Sequence, residues 1–254
     1  MKSFKANKTQ LCITSASVEK QPNANQPINV VSNARTMKVM RTTLAGLPIL
    51  SPRWVEACLN KGEIVAPTSE MCVRTLPRKQ DDHEDGYNDR FGVTKYAAAF
   101  QKGMQSNKLL TGFEVLMCGT YGGSSGKDIV ELLQDAGATI VKSESVASRI
   151  LSGLSSDEGK SQVDTMFVFL CDNSPMDKSC GISDLLFKQA KKICDDSEDA
   201  TVMAVHFSWL FDCISCAMVM PATSYEPIAP RAKSLWRLAV GGGVENRGKK
   251  SQAY

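Results

Sequence analysis

The chain of 254 residues is 43% hydrophobic and 22% charged, with a formal net charge of +3, which is ordinary globular composition and neither disordered nor fibrous. Its length suits two domains, each able to bury a core without disulfide staples, and so small a charge does not argue nucleic-acid binding. No run approaches the ~18–20 apolar residues of a membrane helix, and Met1-Lys2-Ser3-Phe4-Lys5 lacks a signal peptide's apolar core, so a soluble intracellular protein is expected.

The first predicted strand is Gln10-Leu11-Cys12-Ile13-Thr14. A helix follows over Met37 to Ala45, and its start carries Arg35-Thr36-Met37-Lys38. Thr36 suits the N-cap, because its hydroxyl can accept from backbone N–H groups two or three residues on. The open N–H groups and positive dipole end attract an anion, and Lys38 adds a full cation where a ligand-free helix favours Asp or Glu. That placement points to phosphate; a solvated lysine is the bland alternative. Next come a short buried strand at Pro48 to Leu50 and a helix bearing Trp54 and Cys58, whose i, i+4 spacing sets ring and thiol on one face against the core.

Arg78 to Gly86 is a charged, turn-rich linker, and Val93 to Met104 predicts a connector helix with Tyr96, Ala97, Phe100 and Met104 on one face. Phe113 to Cys118 is a strand, and Lys127 to Ala136 an amphipathic helix closed by Gly137 as a left-handed cap. Ala138 to Val141 and Met166 to Cys171 are further strands, Asp184 to Cys194 a helix, Val202 to Val205 a strand, and a last helix bears Trp209 and Cys213. The glycine-rich Gly241 to Tyr254 reads as a disordered tail with weakly basic character.

Two stretches of this text repeat. Trp54 and Trp209 stand 155 positions apart, as do Cys58 and Cys213, and Thr68-Ser69 and Thr223-Ser224 keep the same offset. Two copies of one α/β domain is the economical reading, each a small parallel sheet with helices on both faces. The text before Lys8 is too short for a first strand, first helix and second strand, so the first copy is expected to lack them.

Enzymatic motifs fail. Gly119 to Lys127 follows a strand and opens a helix, but both the P-loop and the dinucleotide fingerprint need glycine at Tyr121, and Asp128 follows the lysine where a P-loop has Ser or Thr. Cys213-x-x-Cys216 has no second pair to complete a metal site, and the two histidines, His83 and His206, lie apart in sequence. The nine cysteines lie mostly inside apolar runs and read as reduced thiols. No catalytic set, metal site or cofactor is expected.

The Trp-x-x-x-Cys helices, the Ala136-Gly137-Ala138 turn and Gly46-Leu47-Pro48-Ile49-Leu50-Ser51-Pro52-Arg53-Trp54 resemble tandem BRCT repeats of the DNA-damage mediator type. Arg35-Thr36-x-Lys38 resembles the Arg-Thr-x-Lys of the phosphopeptide-binding members, and Phe91-Gly92-Val93-Thr94 the linker of mediators that read phosphorylated histone tails. The resemblance implies two repeats of four parallel strands, a partial first repeat at 1–77, a linker at 78–108, a second repeat at 109–230 and a basic disordered tail at 231–254. It implies that Lys38 pairs with the phosphate, that Thr36 supports it and that Arg35 binds peptide main chain or a terminal carboxylate, with Met40, Gly123 and Ser124 bordering the groove. Trp54, Cys58, Gly137, Trp209 and Cys213 are structural. It further implies a non-enzymatic nuclear module whose partners are phosphorylated peptides, a phosphorylated histone tail among them. The family's remaining phosphate contacts belong to the missing front of the first repeat, which leaves that site half built. The alternatives are a phosphate-independent scaffold, a DNA-end-binding module of a repair enzyme, and, more remotely, a nucleotide-binding enzyme using Gly119 to Lys127.

Overall fold

The computed structural model describes residues 11–15, 17–18, 30–32, 36–68, 70–75, 108–121, 125–154, 165–176, 180–196, 201–216 and 218–241. The chain forms two compact units, Met1–Leu109 with Phe211–Val219, and Leu110–Leu210 with Met220–Tyr254. The connector helix expected at Val93 to Met104 lies outside the described residues, as does the tail beyond Gly241.

In the first unit, β1 (Cys12–Ile13) pairs in parallel with β4 (Ile49–Leu50). Between them stand β2 (Ser17–Val18), β3 (Val30–Ser32) and α1 (Met37–Leu44), and after them α2 (Pro52–Lys61) and β5 (Arg74–Thr75). The far edge of β4 is bridged antiparallel by Cys72, with Val73 donating to the Ile49 carbonyl at 2.8 Å. A separate sheet of order β2-β3-β5 was not foreseen; β2 and β3 are antiparallel and β3 and β5 parallel. α1 buries Val39, Met40, Thr42 and Leu44 on one face. It ends at Gly46, whose φ of 64° lets Gly46 and Leu47 donate back to Thr43 and Thr42, the paired closure that a left-handed residue after a helix permits.

The second unit holds the expected parallel four-stranded sheet, in the order β7-β6-β8-β9. Its elements are β6 (Phe113–Cys118), α3 (Ser125–Ala136), β7 (Thr139–Val141), α4 (Glu144–Leu154), β8 (Met166–Cys171), α5 (Asp184–Asp196), β9 (Val202–His206), the start of α6 (Ser208–Cys216), which from Phe211 onward groups with the first unit, and α7 (Pro230–Gly241). The central strand β8 reads Met-Phe-Val-Phe-Leu-Cys and is buried from Phe167 onward, as a strand covered on both faces should be. Phe167, Phe169 and Cys171 point with Val202 and Ala204 into a core closed by Ala147 and Leu151 of α4, Leu186, Ala190 and Ile193 of α5, and Ala232 and Leu235 of α7. Burying each phenylalanine contributes about 1.5–3 kcal/mol. On the opposite face Trp209 is fully buried, its ring 6.0 Å from that of Phe113. Gly137, φ 98°, ends α3 as expected, Gly137 donating to Gln134 and Ala138 to Leu133.

Two helices correct the sequence reading. α4 was absent from it, and α7 occupies residues 231–241 of the segment assigned to a disordered tail. Pro230 is preset for the first helical turn, Ala232 and Leu235 pack inward, and the Trp236 indole donates to the Ala222 carbonyl at 2.7 Å.

The strand registers align the copies. Cys12 faces Ile49 in the first unit and Phe169 faces Ala204 in the second, and Ile49 and Ala204 keep the offset of the two tryptophans. β1 therefore corresponds to β8, and β4 to β9.

Candidate functional site

The start of α1 is built as its sequence requires. Thr36 has extended backbone angles of −71° and 150°, its Oγ1 accepts from the Val39 N–H at 3.4 Å, and its carbonyl accepts from Met40 at 3.0 Å. Burial of Val39 and Met40 turns that face inward and leaves Thr36 and Lys38 exposed. No acidic residue stands in the first turn, so positive dipole end and ammonium add.

The corresponding helix of the second unit has the opposite polarity. Ser183 caps α5, its Oγ accepting from Leu186 at 3.3 Å, as Thr36 does in α1. Asp184 follows in the first turn and is paired with Arg231, which also donates to the Ile182 carbonyl at 2.8 Å. Ser183 further donates to the Glu144 carboxylate. Leu185, 52% exposed, holds the place that Lys38 holds in α1. One helix start is thus arranged to attract an anion and its counterpart already carries carboxylates.

Thr36 and Lys38 are both exposed at the start of α1. Met40, expected at the edge of a groove, is fully buried and carries no exposed surface; it falls on the inward face because Val39 and Met40 straddle the centre of the helix's apolar side. Arg35, Gly123 and Ser124 lie outside the described residues. Trp209 and Cys213 are interior, whereas Trp54 and Cys58 are half-buried, and α2 buries no residue completely. The Cys58 sulfur accepts from the Val65 N–H at 3.5 Å.

A second constellation was not foreseen. The Asp172 carboxylate, just beyond β8, accepts from the backbone N–H of Thr120 at 2.8 Å, of Tyr121 at 2.9 Å and of Ser174 at 2.8 Å, with the Thr120 hydroxyl at 3.4 Å. Burial alone would raise its pKa, but the bonds from Ser174, Tyr121 and Thr120 outweigh it and hold the carboxyl below its ordinary value. Sequence offers no signal for this cluster, since Asp172 lies 52 positions from Thr120. Nearby, His206 bridges two turns, Nε2 to Asn173 Oδ1 at 2.9 Å and Nδ1 to Ser208 Oγ at 2.8 Å. The Ser208 N–H also donates to Nδ1, at 3.3 Å, so this ring ties the end of β9 to the start of α6. Among the described residues no cluster of three metal-ligating side chains is formed, and no helix is long and apolar enough to cross a membrane.

No family model and no curated protein matches the chain. Among solved structures it is similar to the crystal structure of the S. pombe Brc1 BRCT5-BRCT6 domains, with a TM-score of 0.49 and 12% identity over 82% of this chain and 92% of that one.

Proposed function

We propose that the chain is a tandem BRCT-type module, not an enzyme, that binds a phosphorylated peptide in the nucleus, with the phosphate taken at the start of α1 by Lys38 and the Thr36-capped turn. The observation that carries this reading is the contrast between the two helix starts: α1 exposes Lys38 with no acid in its first turn, while α5 opens with Asp184. The repeated architecture supports the family reading, and Arg35, next to the cap in sequence, supplies a guanidinium suited to peptide carbonyls or a terminal carboxylate.

The test is fluorescence anisotropy of a phosphoserine and phosphothreonine peptide library and its unphosphorylated twin. Phosphorylated peptides bind wild type, and Lys38→Met weakens them tenfold or more, since a charge-assisted bond contributes about 1.5–3 kcal/mol. Lys38 is exposed, so the variant keeps its fold by circular dichroism. Equal binding of both libraries, unchanged by Lys38→Met, overturns the phosphate reading in favour of a phosphate-independent scaffold.

A further inference from the structure

β6 and β8 are adjacent parallel strands, and the chain leaves β6 for β7 on one side of the sheet and reaches β8 on the other. The carboxyl ends of two such strands, where connections diverge, form the crevice in which open α/β sheets take ligands. Here Cys118 and Cys171 are register partners at those ends, and the turns beyond them are Gly119-Thr120-Tyr121 and Asp172-Asn173-Ser174.

The backbone of both turns is shaped around one anion. Gly119 has a φ of 132°, and a Cβ there would stand 2.1 Å from the Asp172 carboxyl carbon, so only glycine allows the approach. Tyr121 takes a φ of 38°, a strained value for a side-chain-bearing residue, and its hydroxyl anchors it to the Leu170 carbonyl. The result turns the successive amides of Thr120 and Tyr121 onto the same oxygen, while Ser174 donates to the other. Convergent backbone N–H groups of this kind form an anion-binding concavity. Its occupant is the protein's own carboxylate. In the first unit, where Ile13 matches Leu170, the residue matching Asp172 is Ser15, which carries no charge.

We propose that the crevice between β6 and β8 is an oxyanion nest whose resident anion is the Asp172 side chain, so that the second unit is closed to outside oxyanions and opens to a small carboxylate when that side chain is removed. This stands on the second unit alone and does not depend on the role given to Lys38. It predicts one externally available anion-binding turn fewer than the repeat would otherwise offer.

The test is chemical rescue of Asp172→Ala in the full chain, using formate, which restores the missing carboxylate, against chloride at matched ionic strength. Wild type responds alike to both salts. The variant melts at a lower temperature in chloride, and its melting temperature climbs with the logarithm of formate concentration, while the Thr120, Tyr121 and Ser174 amide resonances shift saturably. A variant that responds equally to formate and chloride makes Asp172 a structural tie between two turns and overturns the proposal. Should the variant be unfolded in chloride, the readout is its folded fraction by circular dichroism. A rise specific to formate supports the nest, and no rise overturns it.

Discussion

Trp54 and Trp209 make the same hydrogen bond: each indole N–H donates to a backbone carbonyl 11 residues on, Trp54 to Val65 at 2.9 Å and Trp209 to Met220 at 2.8 Å. The bond fixes the exit of each helix to its own first turn and repeats across the chain although the surrounding side chains differ. Trp209 is fully buried and Trp54 only half so. Trp209→Phe removes the bond of a fully buried indole and costs about 1–3 kcal/mol. Trp54→Phe costs less, because its ring is only half-buried and packs less. Urea denaturation followed by circular dichroism measures both.

Two glycines give opposite outcomes. Gly119→Ala forces a Cβ into the Asp172 carboxyl group at a φ of 132°, so it destabilises by more than the roughly 1–3 kcal/mol of backbone strain alone. Gly153 lies inside α4 with nothing within 4 Å of a Cβ and no positive φ. Gly153→Ala therefore stabilises by about 0.5–1 kcal/mol. Melting temperatures of the two variants should move in opposite directions.

Stability at low pH follows from Asp172. Its pKa is lowered in the folded protein, so its contribution is complete above the unfolded aspartate value of about 3.9 and is lost as pH falls through the lower, native one. Asp172→Asn removes that dependence. Urea midpoints between about pH 2 and pH 6 should fall more steeply toward acid in wild type than in the variant.

Burial, and then the neighbouring Asp195, push the Cys194 thiol up to about 11. At neutral pH its alkylation should be on the order of a hundredfold slower than that of a thiol with an ordinary pKa. The rate should keep rising to about pH 11. Iodoacetamide labelling with peptide mapping reads this directly.

The sequence carried the strands and helices whose apolar residues are large and regularly spaced. β8 and β9 are nearly unbroken runs of such residues, and α5 presents Leu186, Ala190 and Ile193 in helical period. α4 was given no element because Ser145, Ser148, Ser152 and Gly153 are weak helix formers; tertiary burial of Ala147 and Leu151 overrides that propensity. α7 was missed because its contact is made partly by alanine, although Pro230 followed by Ala232, Leu235 and Trp236 was a usable signal. Lys38 was legible because a helix start is a local object. The Asp172 nest was not, because its donors are brought together only when β6 and β8 align.

The order of strands in the second unit also bears on how it folds. β6 and β7 meet across a single intervening helix, Glu114 facing Thr139, whereas β6 meets β8 only when Phe113 reaches Met166. Closing the longer loop costs more chain entropy before any contact rewards it. The β6–α3–β7 segment is thus the cheaper one to close, and the pairing of β8, the strand that anchors the whole sheet, carries the larger entropic cost.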